Sequence, residues 1–141
     1  MNATITLSHD HADQDLNAIH AYLSRSYWSP GVAMETVERA VANSIVVGAF
    51  DDGAQVGFAR IISDKATFAY LADVYVLESH RRRGIAAAMI HSLHALPELQ
   101  GLRRWVLFTA DMHPLYASLG WTPYETPERL MVRELYKIVL P

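Results

Sequence analysis

The sequence contains no cysteine, which excludes disulfides, thiolate metal sites and a cysteine nucleophile. It has no apolar run approaching the ~20 residues of a membrane-spanning helix. Its opening, MNATITLSHD, lacks the basic start and apolar core of a secretory signal, so no signal peptide is expected. Neither G-x-x-x-x-G-K nor G-x-G-x-x-G occurs, which argues against a P-loop and a Rossmann dinucleotide loop. A basic excess is also missing. The net charge is −3 with histidine neutral, and a general nucleic-acid-binding face is not expected on that balance. No internal repeat, linker or low-complexity segment breaks the chain. A cytoplasmic protein without nucleic-acid or membrane partners is therefore the expectation.

What is present fits one domain over residues 1–141. A chain of 141 residues buries roughly 70% of its unfolded surface, enough for a proper core. Hydrophobic residues at 51% against charged residues at 19% give a globular balance rather than a disordered one.

Periodicity gives a coarse order of elements. TITLS at 4–8 alternates as a first strand. From Asp13, a plausible N-cap, to Ser26, the residues Leu16, Ile19, His20 and Leu23 share one helical stripe. Pro30 and Gly31 break that helix, and a short second one turns Met34, Val37 and Val41 inward. SIVVGAF and AQVGFARII read as strands joined at DDG, a good hairpin turn. TFAYLADVYVL is a long apolar strand. A helix over 84–96 places Ile85, Met89, Leu93 and Leu96 on its buried stripe, and Pro97 ends it. RRWVLFTA reads as a strand and HPLYASLG as a short helix closed by Gly120. WTPY and ERLMVRE are expected to form a final strand pair, which RELYKIVLP extends or turns towards a partner subunit. The order is β-α-α-β-β-β-α-β-α-β-β, a mixed-sheet α/β fold. Strands two to four should be antiparallel neighbours, and a right-handed crossover should set the fourth and fifth parallel.

The unusual feature is Arg81-Arg82-Arg83-Gly84 between a strand and a helix. A helix start presents unpaired N–H groups and partial positive charge. Gly84 lets an anion approach the backbone, Ala86, Ala87 and Ala88 keep the first turn small, and the arginines add field. A phosphate or pyrophosphate fits. A solvated basic turn, with the alanines serving helix propensity, fits equally well.

Two motifs carry a resemblance. Arg81-Arg82-Arg83-Gly84-Ile85-Ala86 is similar to the (Gln/Arg)-x-x-Gly-x-(Gly/Ala) signature of the GCN5-related N-acetyltransferases. Leu115-Tyr116-Ala117-Ser118-Leu119-Gly120-Trp121 resembles that family's Tyr-x-x-x-Gly-(Phe/Trp) helix. The order of elements resembles the family fold along nearly the whole chain. The sequence looks most like the small bacterial members.

The resemblance implies acetyl-coenzyme A as cosubstrate, with its pyrophosphate on the backbone from Arg82 through Ala87, flanked by Arg81. It implies a bulged fourth strand that splays from the fifth, where Val74, Tyr75 and Val76 receive the pantetheine arm. A backbone N–H near Val74 would polarise the thioester carbonyl. It implies direct attack by a primary amine, needing no covalent enzyme intermediate, and gives Tyr116 the protonation of the departing thiolate. Without that role Tyr116 is an aromatic at the core edge. A homodimer is left open.

The base that takes the amine's proton has three candidates: Asp73 beside the bulge, and Asp111 and His113 after the fifth strand. Asp111 also suits an N-cap and His113 a surface position. Ser26, Tyr27 and Trp28 are expected to line the acceptor pocket, or else to plug the core. Tyr70 is a further candidate, an aromatic where some members carry a catalytic carboxylate. His9/His11 and His91/His94 have ligand-like spacings, but the second pair faces away from the buried stripe. Solvated histidines and no metal are expected. Competing readings are a noncatalytic acyl-CoA-binding or regulatory domain of the same fold, and an interaction domain that binds no coenzyme A. The amine acceptor, a small molecule or a peptide, is not legible.

Overall fold

The computed structural model describes residues 4–135. Its strands are β1 (Ile5–Ser8), β2 (Ile45–Asp51), β3 (Ala54–Ser63), β4 (Phe68–Val76) and β5 (Arg104–Val106). The helices are α1 (Leu16–Leu23), α2 (Met34–Ala42), α3 (Ile85–His94) and α4 (His113–Ser118). One sheet runs in the order β1-β2-β3-β4-β5. Its first three pairings are antiparallel, and β4–β5 is parallel, as the crossover predicts. The DDG turn brings β2 back as β3, with Asp52 and Gly53 both at positive φ (50° and 87°). That geometry suits the right-handed twist of a hairpin.

Alternation along β2–β4 sends side chains to two faces. On one face Val47, Ala49, Ile61, Ala69 and Leu71 pack against Ile85, Met89, Ile90 and Leu93 of α3. On the other, Val46, Phe58 and Tyr75 meet Ile19 and Leu23 of α1 and Val37 and Val41 of α2. α3 lies close to the sheet because Gly57 has no side chain. A Cβ there would come within 3.2 Å of the Met89 Cε and the Tyr75 carbonyl.

The first helix starts later than its sequence suggests. Asp15 is the N-cap, accepting from the Ala18 N–H at 3.0 Å. Asp13 instead belongs to a 3-10 turn and accepts from the Ser8 hydroxyl at 2.6 Å. A buried amide pair decides the choice. Gln55 Nε2 donates to Gln14 Oε1 (2.9 Å), and Gln55 Oε1 accepts from the Asp15 N–H (2.7 Å), which ties the helix start to β3.

The expected final strand pair does not form among the described residues. Over 121–135 the chain makes only a 3-10 turn at Pro127–Arg129. Pro123 and Pro127 cannot donate to a ladder, and Met131 and Leu135 are 91% and 79% exposed. The rest of RELYKIVLP lies outside the described residues. β5 is also shorter than RRWVLFTA, because its neighbour diverges from it after Val106.

Gln55→Leu keeps the volume and leaves Gln14 Oε1 and the Asp15 N–H without partners. An unsatisfied buried group costs about 1–3 kcal/mol. Urea unfolding should show an unfolding free energy lowered by that amount, seen as a lower midpoint with an unchanged slope.

Candidate active site

The site begins where β4 stops following its neighbours. Its parallel pairing with β5 runs from Phe68/Arg104 to Tyr70/Val106 and ends there. On its other side, Ala59 of β3 faces two residues, Asp73 and Val74, so β4 is bulged. Asp73 takes φ 56°, a left-handed conformation that aspartate tolerates better than most residues. Its carboxylate accepts from Arg60 Nε at 2.6 Å and from Trp28 Nε1 at 2.8 Å. Arg60 also donates to the Ser44 hydroxyl at 3.2 Å. The Arg60 and Asp73 side chains are only 16% and 10% exposed, so the pair is shielded and holds the bulge in place.

Past the bulge, β4 and the chain after β5 separate around a cleft of about 1220 Å³. Residues 71–77 form one wall, and Leu107–Met112 with Tyr116 form the other. The bulge and the splay are the geometry that the resemblance implied.

One end of the cleft is the arginine junction. Arg82 and Gly84 both sit at positive φ (63° and 76°), and α3 starts from Gly84 without a side-chain cap. The first bond to the cap runs from the Ala88 N–H to the Gly84 carbonyl at 3.0 Å. The N–H groups of Ile85, Ala86 and Ala87 therefore precede the first closed turn. No atom lies within 4 Å of where a Gly84 Cβ would stand. Arg81 and Arg82 line the cleft. Arg83 is not among its lining residues and lies on the Asp51 side, where its charge helps lower the Asp51 pKa. Open amides, two arginines and an unobstructed backbone fit a pyrophosphate.

This junction is anchored by contacts that the local sequence does not announce. Arg81 donates to the Val76 carbonyl (3.2 Å) and to the Tyr22 hydroxyl (3.0 Å). The His80 ring meets Asp51 Oδ2 at 2.7 Å and the Ser79 hydroxyl at 2.7 Å. The His80 hydrogen bond holds the Asp51 carboxyl below its ordinary pKa. Asp51, expected only as a turn residue, thus clamps the loop to the hairpin.

The other end is aromatic. Tyr27 and Trp28 meet edge to face at 5.1 Å, and Tyr70 and Phe108 at 5.8 Å. The Tyr27 hydroxyl accepts from the Ala110 N–H at 3.3 Å, so the loop after α1 reaches the loop after β5. Ser26 is buried and serves that loop, donating to the Leu23 carbonyl and accepting from the Ser29 N–H. The buried Tyr75 ring stacks on Tyr22 at 4.0 Å.

Tyr116 lies between the two ends, buried on α4. Burial first, then the negative fields of Tyr27 and Asp111, pushes its phenol up to about 12. Asp111 is exposed on the cleft wall. The cleft therefore gathers Asp73, Val74, Tyr75, Val76, Asp111 and Tyr116 with Tyr27, Trp28 and Tyr70. His113 is not among its lining residues and borders a second depression beside Trp121 and Tyr124.

Of the expected solvated pairs, His91 and His11 are exposed, whereas His94 and His9 are half-buried. His94 accepts from Trp121 Nε1 at 3.2 Å, packs edge to face on Trp105, and is held below its ordinary pKa by burial. His9 contacts the Ser92 hydroxyl at 3.1 Å and His11 the Ser44 carbonyl at 2.7 Å. Arg60, Phe108 and His80 escaped sequence reasoning. Their roles come from partners distant in sequence, and no local pattern marks them.

Residues 42–123 match the family model described as an acetyltransferase (GNAT) domain. The chain belongs to the GNAT acetyltransferase family. A GNAT-family protein from Xanthomonas campestris pv. campestris has a crystal structure that superposes with a TM-score of 0.89. The two share 46% identity, and the match covers 93% of each chain. The Gibberella zeae protein FG08082, which bears an acetyltransferase name, is 31% identical over 84% of this chain and 79% of its own length. Glucosamine-6-phosphate N-acetyltransferase from Arabidopsis thaliana shares the fold at a TM-score of 0.71 and 12% identity, covering 95% of this chain and 99% of its own. GNAT membership carries acetyl-CoA-dependent acetyl transfer as the reaction type.

In this GNAT chain Gly84→Ala forces a Cβ into the left-handed region at φ 76°, at a cost of about 1–2 kcal/mol. Thermal unfolding should show that loss, and calorimetry should show weakened coenzyme A binding beyond it.

Proposed function

We propose that the protein moves an acetyl group from acetyl-CoA to the primary amine of a small molecule or peptide by direct attack. The observation that carries this reading is Tyr116, a buried phenol facing the cleft opened by the bulge in β4. When bound, acetyl-CoA supplies a thioester whose acetyl group a neutral amine can take without a covalent enzyme intermediate.

The chain's own residues divide the remaining work. The N–H groups from Arg82 to Ala87, with Arg81, would hold the pyrophosphate. The edge of β4 at Val74–Val76, left without a strand partner by the splay, would hold the pantetheine arm. The Val74 N–H would polarise the carbonyl. Asp111 is the carboxylate that receives the amine's proton, through water. Asp73 is less suited to that task, because Arg60 and Trp28 already engage its two oxygens. His113 borders the second depression and has no part in this scheme.

Tyr116 acts on the sulfur side. Its phenol, pushed up to about 12, is a weaker acid than a thiol near ~8.5. Complete transfer to a thiolate would run uphill by roughly 5 kcal/mol. Tyr116 therefore donates a hydrogen bond as charge grows on sulfur, and solvent completes the protonation.

Tyr116→Phe should lower kcat about 100-fold while the coenzyme A dissociation constant from calorimetry stays within about twofold. Tight coenzyme A binding with no thiol release on any amine would instead favour a noncatalytic binding domain. The pH dependence has a definite sign. The raised pKa keeps Tyr116 protonated, and so a donor, until about pH 12. The neutral amine fraction grows tenfold per pH unit below ~10.4. kcat/KM should rise through pH 7–9 with no falling limb; a fall near pH 8–9 would remove the phenol from this role.

A further inference from the structure

The acceptor end of the cleft is mostly aromatic, and its charge is sparse. Tyr27 with Trp28 and Tyr70 with Phe108 all line it, each pair edge to face. The Tyr27–Ala110 hydrogen bond at 3.3 Å links the loop after α1 to the loop after β5. Phe108 and Met112 are 60% and 47% exposed, leaving apolar surface open beside the buried phenol of Tyr116. Arg60 and Asp73 are matched to each other at 2.6 Å, while Arg25, which also lines the cleft, lies over the Tyr22 ring at 5.7 Å without an ion pair among the described residues. Asp111 is the acceptor-end carboxylate that forms no ion pair among the described residues.

We infer that the acceptor is a monoamine carried on an aromatic group, an arylalkylamine, with its ring between Trp28 and Phe108 and its nitrogen towards Asp111 and Tyr116. This rests on the acetyl-transfer reading above and specifies its substrate class. The chemistry follows from the inventory of groups. A ring entering between edge-to-face pairs can make further offset or edge contacts, which aromatic groups favour over plain apolar contact. The amine must lose its proton to react, and one free carboxylate suffices to draw in one ammonium and relay that proton. A polyamine or a lysine in a charged peptide brings further charges, and those would meet rings and a carboxylate already held by Arg60. Rings do attract cations, but that attraction does not distinguish a second ammonium from solvent-exposed alternatives as a carboxylate would.

The test uses the full chain with acetyl-CoA and a series of primary amines: 2-phenylethylamine, n-propylamine, spermidine and a lysine-containing peptide. Thiol release gives kcat/KM. Quenching of tryptophan fluorescence by each amine, with coenzyme A present, gives binding apart from turnover. The expected result is 2-phenylethylamine favoured over n-propylamine by about tenfold or more, in line with what a few apolar atoms contribute to pocket discrimination. Fluorescence quenching should follow the same order. Phe108→Ala, a change at an exposed position, should bring the phenethyl-to-propyl ratio close to one. Equal use of the two amines, preference for spermidine or the peptide, or no acetylation of any amine by protein that binds coenzyme A would each overturn the inference and leave the coenzyme site standing. Absence of coenzyme A binding by calorimetry would take down the acetyl-transfer reading and this inference with it.

Discussion

The structure depends on one charged contact, the Arg60–Asp73 pair at 2.6 Å. Asp73 sits at φ 56° on a strand that would otherwise continue straight. A left-handed residue without a glycine costs about 1–2 kcal/mol, and two charge-assisted hydrogen bonds to the carboxylate, from Arg60 and Trp28, offset that cost. The pair is only partly buried, so removal of Arg60 would leave a cleft-lining carboxylate held by Trp28 alone, at a cost of about 1–3 kcal/mol. The contact therefore fixes the bulge, and the bulge turns β4 away from the chain after β5. A regular sheet would carry a continuous hydrogen-bond ladder there and no cleft.

Trp28 links this constraint to the acceptor side. Its indole N–H reaches the same carboxylate at 2.8 Å, so a single side chain holds both the strand distortion and one aromatic wall. Tyr27 then spans to the opposite loop. At the far end, the His80–Asp51 and Arg81–Tyr22 contacts hold the arginine junction against the hairpin and α1. Both ends of the cleft are thus tied to the antiparallel core, and Tyr116 is placed between them from α4.

Much of this was legible where local pattern carries the information. The alternation of β2–β4 and the DDG turn fixed the hairpin, and the 85/89/93 stripe fixed α3. The RRRG junction and the Tyr116 helix pointed to the family. What was not legible is long-range. Asp15 caps α1 instead of Asp13 because Gln55, 40 residues away, holds its N–H. Asp73 appeared as a candidate base because its partners are 13 and 45 residues distant. The apolar residues of 121–135 suggested strands, but two prolines interrupt the ladder, and Met131 and Leu135 stay exposed. Strand propensity is a weak guide where no neighbour is paired.

The central claim is that the splayed edge of β4 and the start of α3 form one continuous binding surface for acetyl-CoA. Amide hydrogen exchange with and without saturating coenzyme A tests it residue by residue. The account predicts slowed exchange at Val74, Val76 and the amides of residues 84–87, with α2 unaffected. Unchanged exchange along that edge, or protection confined to the depression beside Trp121, would contradict it.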